Sequence, residues 1–261
     1  MKKASFDVFG NIALVKFDKK IPSGEKRKFA DKLLKENKSI TTVLEKTGKF
    51  KGRLRKQETK HLSGLKTKET LYRENGCVFR FNIDSVYFSP RLSNERKEIM
   101  QKVEKGDEVL VMFAGISPYS IVIAKNSKAK IVYSNEINKE ANKYSRLNAE
   151  LNKVKNRIIF LDGDIKKIAL KLAKHGKRYD VIVMPRPQLK DSFLKEAFML
   201  SKKGTRIFYY DFCKEDEIND FVDRVKEEAK KYKKRIKILK VKKAGEIAPY
   251  KYRIRIDFKV L

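Results

Sequence analysis

The stretch Asp107-Glu108-Val109-Leu110-Val111-Met112-Phe113-Ala114-Gly115-Ile116-Ser117-Pro118-Tyr119-Ser120-Ile121-Val122-Ile123-Ala124-Lys125 decides the fold. Its apolar run breaks at Phe-Ala-Gly and resumes with helical spacing, so it reads as strand, tight turn, helix. A strand buried on both faces of a parallel sheet gives such an uninterrupted run. The glycine lets backbone approach a ligand closely, and the helix behind it offers its free first-turn amides. Nucleotide-like groups are held in this way at the carboxyl end of a parallel sheet.

The same unit recurs downstream. Lys130 to Glu136 is a second strand closing on a carboxylate that can accept both hydroxyls of a ribose, and Asn138 to Asn152 can form the next helix. Arg157 to Asp164 is a third strand, ending where an adenine ring would lie, and Tyr179 to Pro187 is a fourth, closing on a rigid proline turn. Four βα units with ligand-type residues at their carboxyl ends predict a doubly wound α/β sheet. The turn lacks the three glycines of a dinucleotide site. S-adenosylmethionine has no pyrophosphate to cradle, so one glycine and one ribose acid suffice for it.

Charge points to the partner. Lys and Arg number 64 against 33 Asp and Glu, a formal net charge of +31 spread over the whole length, with 11 Tyr and 16 Phe interleaved. A Lys/Glu-rich surface is also a hyperthermophile habit, but that habit enriches both signs together. The imbalance favours a polyanion, and nucleic acid above others. Cys77 and Cys213 stand far apart and the histidines are only His61 and His175, which leaves zinc sites, Cys-His nucleophiles and disulfide frameworks poorly supported. The chain opens directly into a strand-like segment, and no apolar run approaches spanning length. A cytoplasmic, reduced protein without membrane contact is expected.

Before the sheet, Phe6 to Phe17 looks like two strands about a Gly-Asn turn, Glu25 to Glu36 like a helix, Ser39 to Leu44 like a strand, and Thr70 to Ile83 like a strand pair turning at Asn75-Gly76. Between them, Lys49 to Lys68 is dense in Lys and Arg. A small α+β domain, residues 1–84, is thus expected to precede a sheet domain, residues 85–261, with an amphipathic helix from Glu95 to Val103 near the joint. A fifth strand is expected at Tyr209-Tyr210-Asp211-Phe212.

Glu74-Asn75-Gly76, Val86-Tyr87-Phe88-Ser89-Pro90-Arg91-Leu92 with Glu95-Arg96, Met112-Phe113-Ala114-Gly115 with Pro118-Tyr119, Pro185-Arg186-Pro187 and Tyr209 to Phe212 together resemble archaeal tRNA (guanine-37 N1)-methyltransferases, most of all the wyosine-linked branch. The resemblance covers about the whole chain, without the extra N-terminal domain of longer members. It implies a Rossmann-like class I S-adenosylmethionine-dependent methyltransferase sheet and a monomer acting on tRNA without a metal. The reaction implied is methylation of guanine-37 N1, with C-methylation of the tricyclic wyosine intermediate as a further candidate.

Carried over by position, Glu95 matches the family's general base, and Arg53 or Arg55 its cation at guanine O6. Pro185 and Pro187 would shape the rim between cofactor and base. Phe113, Ala114, Gly115 and Pro118 on the turn, Glu136 with Ile137 at the ribose, and Asp164 with Ile165 at the adenine would bind S-adenosylmethionine, again with Pro185. Two departures mark the branch: Val111 stands where many relatives have aspartate, and Pro185-Arg186-Pro187 replaces Asn-Leu-Pro. Structural roles compete for several of these residues: Asp164 as a helix N-cap, Glu95 as a helix-start acid, Arg53 and Arg55 as phosphate contacts. Two other functions remain in view, an aminocarboxypropyl transferase of the wyosine pathway and a non-catalytic RNA-binding protein.

Overall fold

The computed structural model describes residues 4–18, 20–48, 52, 57–186 and 189–261. The first unit is a four-stranded sheet of β1 (Ala4–Phe9), β2 (Ile12–Phe17), β3 (Thr42–Lys46) and β4 (Thr59–Gly64), with α1 (Ser23–Glu36) packed on one face. Ala13, Val15, Ala30, Leu33, Ile40 and Val43 form the core beneath α1. Strand β4 lies inside the basic segment that the sequence presents as featureless, because Lys60 and His61 mask its alternation. Next comes a hairpin, β5 (Glu69–Glu74) and β6 (Cys77–Asn82), turning at Asn75-Gly76 as expected.

The larger sheet follows. After α2 (Ser93–Gln101), it is built from β7 (Glu108–Val111), α3 (Pro118–Asn126), β8 (Ile131–Glu136), α4 (Lys139–Leu151), β9 (Ile158–Asp162), α5 (Ile165–Lys174), β10 (Tyr179–Met184), α6 (Leu194–Met199), β11 (Ser201–Lys214), α7 (Ile218–Lys231), β12 (Ile236–Ala248) and β13 (Lys251–Val260). Its order is β12-β13-β11-β10-β7-β8-β9, parallel from β11 to β9, with β13 antiparallel to both neighbours. Val109, Leu110 and Val111 are fully buried, as the continuous run requires. The chain winds outward from β7 to β9 and then returns to β10, so β7 and β10 flank the switch point where such sheets bind ligands. This is the Rossmann-like α/β arrangement expected.

The hairpin counted with the first unit on sequence grounds leans on the second. Phe79 and Phe81 share one core with Val109, Val111, Ile121 and Val122 of the sheet body, and with Ile12, Leu14 and Leu44 of the first sheet. Asn148 of α4 and Asn152, which caps its carboxyl end, also complete the free edge of β6. Asn148 Oδ1 accepts the Arg80 amide at 2.7 Å, while Asn152 accepts the Val78 amide at 2.9 Å and donates to the Val78 carbonyl at 2.6 Å. The fit follows from geometry: four helical residues rise about 6 Å, close to the roughly 6.8 Å between alternate residues of a strand. On the other side, Gly10 sits at φ +56° with the Leu71 carbonyl oxygen 2.2 Å from where a Cβ would lie, so only glycine lets the first hairpin meet the second.

Candidate active site

The turn after β7 bends sharply. Phe113, Gly115 and Ser117 all take left-handed φ values of 56°, 59° and 63°, a cluster that persists only where surroundings over-determine it. Hydroxyls hold it from below: Ser117 Oγ lies 2.8 Å from both Ser134 and Ser145, and Ser145 donates to the Gly115 carbonyl at 3.0 Å. Pro118 then occupies the first turn of α3, where its missing N–H costs nothing.

Glu136 ends β8 and ties the loops together. One carboxylate oxygen accepts the Gly115 amide at 2.7 Å, and the other accepts the amides of Ile137 at 2.9 Å and Asn138 at 2.7 Å. Burial pushes its carboxyl above the ordinary range, with the three amides opposing that rise only in part. An ionised carboxylate so placed gains from further donors, and a ribose diol supplies two.

These loops wall a cavity of about 860 Å³, open mouth included, at the strand ends. Of the residues expected to hold cofactor, Phe113, Gly115, Glu136, Ile137, Ile165 and Pro185 line it. Ala114, Pro118 and Asp164 do not. Ala114 is buried and gives its amide to the Asn135 carbonyl at 2.8 Å, which shapes the turn from behind. Asp164 is the N-cap of α5 and accepts the Lys166 amide at 3.0 Å, the structural rival role, one residue from the cavity wall at Ile165. Arg53, Arg55 and Pro187 lie outside the described residues.

Glu95 is also placed differently from expectation. It lines no cavity described here and is 5 % exposed, accepting from Arg255 Nη1 at 2.6 Å, Lys242 Nζ at 2.5 Å and the Tyr210 hydroxyl at 3.0 Å. Arg255 also pairs with Glu98 and Asp257, each at 2.6 Å. Its two oxygens thus already accept from three side chains of the β11, β12 and β13 strands. The cluster instead bolts α2 to β13.

Other motif residues interlock in the same way. Glu74 and Arg96, both buried, form a bidentate ion pair, and the Arg96 guanidinium stands 5.1 Å from the Phe88 ring centroid. Arg186, 2 % exposed and lining the cavity, pairs with Asp211 and donates to the carbonyls of Leu189 and Asp191 at 2.5 and 2.6 Å. The Pro-Arg-Pro turn is thereby fixed to the Tyr-Tyr-Asp-Phe strand. Sequence reasoning missed Arg186 as a cavity residue, although its place between two prolines at a strand end was the available signal.

A second cleft, between the first sheet and the larger domain, is lined by Asp7, Lys16 and Lys46 on one side and by Phe88, Arg91 and Ile247 on the other. Among the described residues, Tyr87 and Arg253 line both spaces. Among the described residues no three His, Cys, Asp or Glu side chains gather as a metal site, and no helix is long and apolar enough to cross a membrane.

Comparison with known proteins agrees with this architecture. The chain is 35 % identical over 257 residues, 98 % of its length and 74 % of the relative's, to the tRNA (guanine(37)-N(1))-methyltransferase Trm5b of Pyrococcus abyssi. It is 34 % identical over 300 residues, 97 % of its length and 98 % of the relative's, to the tRNA (guanine(37)-N(1))/4-demethylwyosine(37)-methyltransferase Taw22 of Nanoarchaeum equitans. The solved complex of aTrm5 with tRNALeu superposes with a TM-score of 0.86 at 28 % identity, over 98 % of this chain and 72 % of that one. Residues 70–239 match the TRM5/TYW2 methyltransferase domain. The strand order, the acid at the end of β8 and these likenesses lead to one conclusion: the chain belongs to the TRM5/TYW2 methyltransferase family.

Proposed function

We infer that this protein is a tRNA (guanine-37 N1)-methyltransferase using S-adenosylmethionine. The observation that carries the reading is the strand-end cavity with Glu136 at its wall, meeting a basic cleft at Tyr87 and Arg253. The cofactor supplies a methyl group on a sulfonium, which leaves as a neutral thioether, so the reaction calls for no metal. Glu136 offers its remaining lone pairs to the ribose hydroxyls. Phe113, Ile137, Ile165 and Phe193 give the adenine an apolar slot. Pro185 and Arg186 close the side nearest β10.

The target base must leave its stack to reach the cavity, and the cleft between the two sheets is the path for it. Phosphates flanking the base meet the lysines and arginines that give the chain its +31 charge. The first sheet, with the basic segment 49–68, docks tRNA, while the larger domain holds cofactor. The hairpin of β5 and β6 packs against both units and bridges them. The protein acts as a monomer in the cytoplasm. Glu95 influences the rate by holding α2, whose preceding residue Leu92 lines the cavity, in place.

Methylation of 4-demethylwyosine is a second reaction of the same site, favoured by the similarity to Taw22. Mass analysis of nucleosides after incubation with S-adenosylmethionine and tRNA tests both. N1-methylguanosine at position 37 is expected with unmodified tRNA, and a methylated tricycle with tRNA carrying 4-demethylwyosine. An aminocarboxypropyl adduct, or no adduct, overturns the reading.

A further inference from the structure

Among the described residues, buried polar side-chain atoms that lack a hydrogen-bond partner lie on Gln57, Asn148, Tyr179 and Arg186. Of these side chains, that of Arg186 alone lines the strand-end cavity. Its Nε carries no hydrogen bond, while the rest of the guanidinium is clamped: Nη1 pairs with Asp211, and Nη2 donates to the carbonyls of Leu189 and Asp191. Tyr209 holds the second oxygen of Asp211 at 3.0 Å, and its ring centroid stands 5.9 Å from the guanidinium carbon. A buried N–H is costly to leave unmade, yet turning the planar fork to satisfy Nε would break the contacts of its terminal nitrogens. Nε–H is therefore a fixed, charge-assisted donor in the cavity wall.

Position on the sheet selects the acceptor. Val183 of β10 registers with Val111 of β7, which registers with Ser134 of β8. Arg186 and Glu136, just beyond those partners, thus stand at one edge of the sheet on either side of β7. Two strand spacings, about 10 Å, separate them, a span suited to a ribose diol at one end and the tail of an amino acid carried on the 5′ carbon at the other. Adenine and ribose offer only neutral acceptors. The one anionic group of S-adenosylmethionine is its α-carboxylate, which is repelled by Glu136 and matched by the N–H of a cation.

We propose that Arg186 binds the α-carboxylate of S-adenosylmethionine through Nε–H, across the cavity from Glu136. The inference deepens, and rests on, the methyltransferase reading above. Asp211 balances the guanidinium before the cofactor enters, so the ion pair is kept and the new bond is added to it. An acid then holds the ribose and a cation holds the carboxylate, which fixes the direction in which the chain between them runs.

The test is calorimetry on the intact chain with two probes, S-adenosylhomocysteine and its decarboxylated analogue, which differ only in the carboxylate. The wild type should bind the first about 10- to 100-fold more tightly. Arg186→Lys keeps a charge for Asp211 but puts a methylene where Nε stands, and Arg186→Leu removes the whole group. Both variants should lose most of the preference through weaker binding of S-adenosylhomocysteine, with the decarboxylated probe held within about threefold of wild type. If Arg186→Leu fails to fold, the wild type and Arg186→Lys decide the matter. A wild type that binds the two probes alike overturns the proposal, as does an Arg186→Lys chain that keeps the full preference. Equal weakening of both probes also overturns it, being the mark of a residue that only shapes the wall. A wild type that shows the preference yet methylates no guanine in tRNA leaves the carboxylate contact standing and overturns the methyltransferase reading instead.

Discussion

Glu136 accepts the amide of Gly115 at 2.7 Å, so the acid closing the second strand of the sheet core also holds the turn that closes the first. Its other oxygen anchors the amides that open the next loop. One side chain therefore shapes two walls of the cavity while offering lone pairs to a ligand within it.

Glu136→Ala should weaken S-adenosylmethionine binding about 10- to 100-fold, since hydrogen bonds to a charged acceptor are lost along with the loop tether. Calorimetry measures this directly. Because burial raises the Glu136 pKa, wild-type cofactor affinity should begin to fall on acidification at a pH above the ordinary carboxylate range. Affinity that is flat down to pH 4 would exclude ionised Glu136 as the ribose acceptor.

Gly115→Ala tests the turn. At φ +59° any side chain is strained by about 1–2 kcal/mol, and the new Cβ would lie 3.4 Å from the Tyr87 carbonyl oxygen. Weaker cofactor binding with little change in the far-ultraviolet spectrum is expected, and wild-type affinity in the variant would show that the turn tolerates rearrangement.

Glu95→Gln removes one anion from the cluster around Arg255. A loss of about 2–3 kcal/mol in urea unfolding is expected from breaking a buried charged pair. Methyl transfer should slow with its pH profile unchanged, as for a residue that positions α2. A profile that loses its acid limb would instead restore Glu95 as the proton acceptor.

Glu98 gives the pH dependence of the same cluster. Arg255, with a smaller part from Lys242, holds its carboxyl far below the ordinary range. Its contribution is therefore complete above the unfolded pKa of about 4.3 and is lost as pH falls through the depressed folded value. Glu98→Gln should be less stable than wild type at pH 7, with the gap closing below about pH 4. A gap that stays constant down to pH 2 would refute the assignment.

Shortened chains locate the division. A chain starting near residue 66 keeps the hairpin of β5 and β6 and should bind cofactor, whereas one starting at 85 strips Phe79 and Phe81 from the shared core and should aggregate. Neither should methylate tRNA well. In the intact chain, tRNA affinity should fall steeply with salt through counterion release. Efficient methylation by the shorter chains, or salt-insensitive binding, would contradict the docking role of the first sheet.

Parallel strands were legible because burial on both faces removes polar residues: β7, β8 and β10 announce themselves as runs, and their last residues mark the ligand edge. The N-terminal hairpins declared themselves through Gly10-Asn11 and Asn75-Gly76. The expected helix from Glu95 to Val103 runs from Ser93 to Gln101, and the strand expected at Ser39 to Leu44 runs from Thr42 to Lys46, small offsets set by turn geometry. Strands β12 and β13 were missed, although Tyr252, Ile254, Ile256, Phe258 and Val260 alternate with charged residues along β13, which was the available signal. Gly115 and Glu136 could be read because their roles follow from position on a strand. Arg253 could not, for among 64 basic residues nothing in the sequence marks the one that β13 carries to the meeting of cavity and cleft.

Strand β13 is the last of the sheet to leave the ribosome, yet it lies between two strands already made. Until residues 251–260 emerge, β11 and β12 have no partner to join them, and the nascent domain carries an open edge. Arg253 and Arg255 travel on that strand, one to the junction of the two cavities and the other to the cluster that fastens α2. Closing the sheet and fastening α2 are thus a single step of biosynthesis, so a half-made chain has the cofactor loops but not the clamp that sets the helix beside them.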